Sequence, residues 1–70
     1  MSTDIRKNAR EVIRIQRQEF RGHDLISVRV FYDAGDGSMK PGKQGVAFRA
    51  ALLPEMLNTL GRFAPDNGDG

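Results

Sequence analysis

Arg14, Gln16, Gln18 and Phe20 recur at every second position, and Arg29, Phe31 and Tyr32 cluster a short way downstream. On an extended strand the first four point to one side. Guanidinium forks pair with phosphates, side-chain amides offer hydrogen bonds, and aromatic rings accept the faces of unpaired bases. Each stacked base contributes about 1 to 3 kcal/mol. This combination fits a surface that holds single-stranded nucleic acid. Phe20, bracketed by Glu19 and Arg21 at a turn, reads as exposed, whereas Phe31 reads as core. Strict alternation sends Arg29 and Tyr32 to opposite faces, so either a bulge reorients one or only one reaches the ligand.

Other chemistries fail on spacing. Gly37-Ser38-Met39-Lys40-Pro41-Gly42-Lys43-Gln44 approaches a phosphate-binding P-loop, but Gln44 stands where Ser or Thr should hold magnesium. That loop also needs a buried parallel strand before it and a helix after it, which this length does not accommodate. Asp33 and Asp36 lack the alternating acidic positions and distal Glu of a calcium loop, and read as turn residues. Ser2, Ser27, Ser38, Thr3 and Thr59 have only His23 as a candidate base, and His23 falls in a turn. Without cysteine, and with one histidine, no metal centre of the usual kind assembles. The expectation is a non-enzyme with no catalytic residues, metal or cofactor.

Seventy residues, 39% hydrophobic and 29% charged, suit one small soluble domain. So short a chain builds a marginal core, and with no disulfide or metal to supplement it, oligomerisation is the remaining support. The net charge is +2, yet residues 1–49 hold ten Lys and Arg against six acids, while residues 50–70 hold one against three. Eight of the eleven cations are Arg, which tilts the expected partner towards nucleic acid. The absence of cysteine and of an N-terminal apolar run that could serve as a signal or membrane span makes a cytoplasmic protein with no membrane partner the expectation, and a nucleic-acid partner makes it a nucleoid-associated one.

Three turns punctuate the chain, at residues 21–24, 33–37 and 40–42. Residues 25–32, dense in β-branched and aromatic side chains, read as a strand with Ile26, Val28 and Val30 on one face. Residues 46–49 alternate as a second short strand, and residues 40–43 form a kinked edge strand where Pro41 costs least. Residues 4–20 fit two patterns. Ile5, Ala9, Val12, Ile13 and Phe20 lie near one helical stripe, while Ile13 and Ile15 alternate with Arg14, Gln16 and Gln18 and favour a strand from about Glu11. Leu53, Met56, Leu57, Leu60 and Phe63 repeat at helical spacing, with Pro54 suited to the first turn and Glu55 to the positive helix end. The reading is α+β, one helix covering one face of a small antiparallel sheet, completed by a two-fold dimer. Residues 1–4 read as a disordered tail, 5–63 as the domain, and 64–70 as a disordered acidic tail.

Phe20-Arg21-Gly22, residues 25–32, and Met39-Lys40-Pro41-Gly42-Lys43-Gln44-Gly45 together resemble the single-stranded-DNA-binding domain of the transcriptional coactivator positive cofactor 4 family. The likeness spans about residues 5–60. It implies a curved four-stranded antiparallel sheet, one C-terminal helix, and a homodimer whose grooves bind single-stranded or melted DNA with little sequence preference. It also implies a strand before Phe20. By position it makes Phe20 and Tyr32 stacking residues, Arg29 and Lys40 phosphate or base contacts, and Arg21 and Lys43 supporting cations. Gln44 stands where eukaryotic members have lysine, Gln18 where they have arginine, and Tyr32 where they have tryptophan, which implies weaker affinity. The candidate nucleic-acid-binding set is therefore Arg14, Gln18, Phe20, Arg21, Arg29, Tyr32, Lys40 and Lys43. RNA as the ligand, and an adaptor for the transcription machinery, are the alternatives.

Overall fold

Four strands follow one another as an antiparallel meander in the structure, a computed structural model that describes residues 1–65. They are β1 (Ser2–Arg6), β2 (Glu11–Phe20), β3 (His23–Asp33) and β4 (Met39–Arg49). A 3-10 turn over Ala50–Leu52 leads into the single helix α1 (Leu53–Gly61). The α+β class, the open four-stranded sheet and the trailing helix are those expected from the sequence.

Val12, Ile13 and Ile15 settle residues 11–20 as strand, because branching at Cβ suits a pleated surface and crowds a helix. The β2–β3 hairpin closes on Arg21 and Gly22, with φ of 53° and 81°. Positive φ at both central positions is the signature of the type I′ turn, whose twist matches that of the flanking strands. The β1–β2 connection is tied by Asn8, whose Oδ1 accepts from the backbone N–H of Arg10 and Glu11 at 2.9 and 3.0 Å. Asp33 and Asp36 shape the β3–β4 loop as expected, accepting from the backbone N–H of Gly35 and Ser38 at 2.8 and 3.0 Å.

Three expectations are corrected. Residues 1–4 are not a frayed tail: Ser2–Arg6 is strand β1, which pairs with β2 from Ser2 opposite Gln16 to Arg6 opposite Val12. The pairing is reinforced where Arg17 N–H donates to the Met1 carbonyl at 3.0 Å. The two short strands expected at residues 40–43 and 46–49 are one strand, β4, interrupted in register rather than broken. Pro41 is tolerated there because β4 lies at a sheet edge. The helix does not cover the sheet. The 3-10 turn packs on β3 and carries α1, and no residue of α1 is buried. Pro54 sits in the first helical turn with Glu55, and no side chain caps the helix, as its sequence indicates. Of the expected acidic tail, Ala64 and Pro65 lie outside regular structure, and residues 66–70 lie outside the described residues.

The registers sort the side chains into two faces. Ile5, Ile13, Ile15, Ile26, Val28, Val30, Val46 and Phe48 share an apolar face. Asp4, Arg6, Arg14, Gln16, Gln18, Phe20, Ser27, Arg29 and Phe31 share a polar face that also carries Val12 and Leu25. Only Val12 and Ile26 are buried hydrophobics among the described residues, at 5% and 6% exposure. With a least dimension of 19 Å, the described chain is a sheet with little laid against it.

Candidate nucleic-acid interface

One row crosses the middle of the polar face. Asp4 on β1 lies opposite Arg14 on β2, and Arg14 lies opposite Arg29 on β3. Two like charges directly opposed across strands repel. Asp4 relieves this by taking Arg14 in a bidentate fork, Nε to Oδ1 at 2.8 Å and Nη2 to Oδ2 at 3.1 Å. These hydrogen bonds hold the Asp4 carboxyl below its ordinary value and raise that of the Arg14 guanidinium. The central carbon of the same guanidinium lies 4.2 Å from the centre of the Phe31 ring, over its face and within cation–π reach. Phe31, read from the sequence as core, is half-buried beneath it.

Arg29 turns towards β4. Its Nη1 donates to the Gly42 carbonyl at 3.1 Å and reaches the Lys43 carbonyl at 3.5 Å. Lys43 itself is exposed beside this contact. At the hairpin end of the same face stand Gln18 and Phe20, the latter 56% exposed, with the Arg21 guanidinium 5.2 Å from its ring centre. Four of the proposed residues, Arg14, Gln18, Phe20 and Arg29, therefore share one face, with Arg21 at its hairpin tip.

Tyr32 and Lys40 do not join them. They lie opposite one another on β3 and β4, and the register places both on the apolar side. The β2–β3 pairing runs without interruption from Glu11 opposite Tyr32 to Phe20 opposite His23, so the alternation along β3 is intact. The irregularity is in β4 and does not bring Arg29 and Tyr32 to a common face. At about 3.3 Å per residue, Phe20 and Tyr32 are also separated by roughly 30 Å along the hairpin. Both rings are nonetheless available, Tyr32 being 41% exposed.

An open meander with a trailing helix and a cationic, aromatic face can now be set beside known proteins. Residues 7–59 match the family model described as Transcriptional Coactivator p15 (PC4). The chain belongs to the PC4 family. It is 40% identical over 55 residues to the RNA polymerase II transcriptional coactivator SUB1 of Saccharomyces cerevisiae, a match covering 77% of this chain and 18% of that protein. The chain spans less than a third of the length of the curated relatives it matches. The PC4 homolog BPSL1147 from Burkholderia pseudomallei, in its orthorhombic crystal form, superposes with a TM-score of 0.83 at 29% identity, covering 93% of this chain and 88% of that one. MoSub1, solved in complex with single-stranded DNA, shares the fold at a TM-score of 0.52 and 24% identity, covering 96% of this chain and 86% of that one.

Within this PC4-family sheet, sequence reasoning missed Asp4 and Gly45. Asp4 falls in the expected tail; the one cue in the sequence is an acid whose partner, Arg14, lies ten residues on, and only the β1–β2 register makes that spacing meaningful. In the sequence Gly45 stands only as the last residue of the resembling motif, whereas in the fold it lies against the side chain of Arg29. Arg17, another cation of β2, is not free either. It forks onto Asp24 at 3.0 and 2.6 Å on the opposite face from Arg14.

Proposed function

We propose that this PC4-family chain is a non-catalytic homodimer that binds single-stranded or melted DNA with little sequence specificity. The observation that carries the reading is the polar face itself. Arg14 stacked on Phe31, Arg29 opposite it, and Phe20 exposed beside Arg21 put cations and a ring on one accessible sheet surface. Stacking is tolerant of base identity because every base has a π-face, and the cations follow a backbone common to all sequences. MoSub1, of the same fold, is itself solved with single-stranded DNA. The family's coactivator description supports a role in transcription. Protection of exposed strands in replication and repair, in a nucleoid-associated role, would use the same surface.

The homodimer follows from what a single protomer leaves uncovered. Leu57, Leu60 and Phe63 are 61%, 60% and 79% exposed, and the apolar sheet face holds a depression of about 350 Å³ lined by Ile13, Val28, Val30 and Val46 with Arg29, Gln44 and Gly45. A second copy offers matching apolar surface. It also offers the means by which a Phe20 and a Tyr32, roughly 30 Å apart in one protomer, act on one strand.

The deciding experiment is a fluorescence titration with single-stranded DNA, duplex DNA and RNA of equal length at two salt concentrations. Tight, salt-dependent binding to single strands over duplex is expected. Stronger binding to RNA would reassign the ligand, and no binding at low salt would favour a protein-interaction adaptor instead.

A further inference from the structure

Between Phe31 opposite Pro41 and Arg29 opposite Gly45 the ladder falls out of step. One residue of β3, Val30, faces three of β4, Gly42, Lys43 and Gln44. Such an insertion leaves backbone groups without ladder partners. The Arg29 side chain supplies the missing donor, through Nη1 to the Gly42 and Lys43 carbonyls. To do so it lies flat along β4. A Cβ added at Gly45 would come within 2.9 Å of Arg29 Cβ, Cγ and Cζ alike. The first of these atoms is anchored to the β3 backbone and cannot swing aside. Gly45 is not among the residues with positive φ, so space is what requires glycine there, not backbone conformation.

We infer that Gly45 is a positioning residue for the single-strand groove: its missing side chain lets Arg29 cross β4, lash the inserted segment, and fix Lys43 beside its own guanidinium. The inference rests on the single-strand reading above. Arg29 keeps Nε and Nη2 without protein partners among the described residues, so the lashed guanidinium still presents donors to a phosphate. Lys43, carried on a segment that would otherwise be loosely held, is presented next to it. Arg29 thus acts twice, once on the ligand and once on Lys43, and Gly45 acts through Arg29 alone.

The test uses Gly45→Ala, Arg29→Met and the double variant in the full chain. Each is titrated with a labelled oligothymidylate over a range of salt, and the Arg29 side-chain N–H signals are followed by ¹⁵N NMR without DNA. Gly45→Ala changes no charge, yet it is expected to flatten the dependence of log affinity on log salt by about 0.7 to 1.4, the loss of one to two phosphate contacts on single strands. It should weaken binding about tenfold and shift the Arg29 signals from their protected positions. The double variant should bind no more weakly than Arg29→Met. An unchanged slope in Gly45→Ala, or additive losses in the double variant, overturns the inference. Should Gly45→Ala not fold, Arg29→Met decides alone: a slope change near 1.4 supports positioning of Lys43, and one near 0.7 refutes it. If the unmodified protein does not bind the oligonucleotide, the functional reading fails. The ¹⁵N comparison then still decides whether Gly45 seats Arg29, with unshifted signals refuting it.

Discussion

Asp4→Asn isolates how much of the polar face is already neutralised within the protein. Of the five cations assigned to the ligand, Arg14 alone is forked onto a carboxylate, at 2.8 and 3.1 Å, while Arg21, Arg29, Lys40 and Lys43 form no ion pair among the described residues. Four cations each neutralising one phosphate give a slope of log affinity on log salt of about −2.8, since single strands contribute about −0.7 per contact. Affinity should then fall about 50-fold between 50 and 200 mM salt. Asparagine keeps the shape of aspartate and one acceptor oxygen for Arg14, so β1 stays paired, but it no longer competes with phosphate for the fork. With Arg14 released the slope steepens to about −3.5 and the same salt step costs about 130-fold. Fluorescence anisotropy with an oligothymidylate at four or five salt concentrations resolves these two slopes. Arg14→Met in the Asp4→Asn background should restore the shallower slope, separating release of Arg14 from removal of a nearby negative charge. An unchanged slope in Asp4→Asn, or a steeper slope that survives Arg14→Met, refutes the idea that Asp4 occupies a phosphate position.

Removing the rings at Phe20 or Tyr32 with alanine should weaken single-strand binding about 5- to 150-fold, the equivalent of one stacked base, while thermal melting stays close to that of the parent because both rings are exposed. Binding without loss in both variants would remove stacking from the mechanism. Leu60→Glu places a charge on the exposed apolar stripe of α1 and should convert the proposed dimer to monomer in sedimentation equilibrium; a dimer of undiminished affinity would locate the interface elsewhere. The carboxyls of Asp4, Asp24 and Asp36 lie below their ordinary 3.8, and Glu11 below 4.5, through hydrogen bonds from Arg14, Arg17, Ser38 and Asn8 respectively. A carboxyl lowered by folding stabilises the fold above its unfolded value, and that stability is lost as pH falls through the lower folded value. Urea midpoints should therefore be level from about pH 6 to 8 and decline below about pH 4, and a rise on acidification would contradict the ion pairs.

β2, β3 and α1 are legible in the sequence because each repeats its apolar side chains at its own period. Ile13 and Ile15, then Ile26, Val28 and Val30, recur every second residue, and Leu53, Met56, Leu57 and Leu60 every third or fourth. β1 carries no such signal. Ser2–Arg6 holds one apolar residue between polar ones, and it becomes a strand by adding to the β2 edge and by the Asp4–Arg14 fork. Pairing of that kind is long-range information that no local pattern contains. β4 reads as two pieces because Pro41, Gly42 and Gly45 interrupt its pattern, whereas the strand runs on through the interruption, where Arg29 donates to the Gly42 carbonyl. For the site, alternation alone placed Arg14, Gln18 and Phe20 together. Alternation also sends Arg29 and Tyr32 to opposite faces, and the unbroken β2–β3 register keeps them there.

The separation of faces has an energetic consequence. With two buried hydrophobics among the described residues, a single sheet holds little stability of its own, and in the proposed dimer the apolar face and the α1 stripe supply the remainder by meeting a second copy. The polar face is released from that task, which is why arginine and phenylalanine can lie there half-exposed without loss of the fold. Substitutions at Phe20 or Arg21 should then alter binding alone, and those at Leu57, Leu60 or Val46 should alter assembly and binding together. Tyr32 and Lys40 sit at the end of the apolar face, where the two functions meet. In the proposed dimer a contact made by Tyr32 with a nucleotide lies at the margin of the interface between copies, and its contribution should vanish with the dimer while that of Phe20 persists in the monomer.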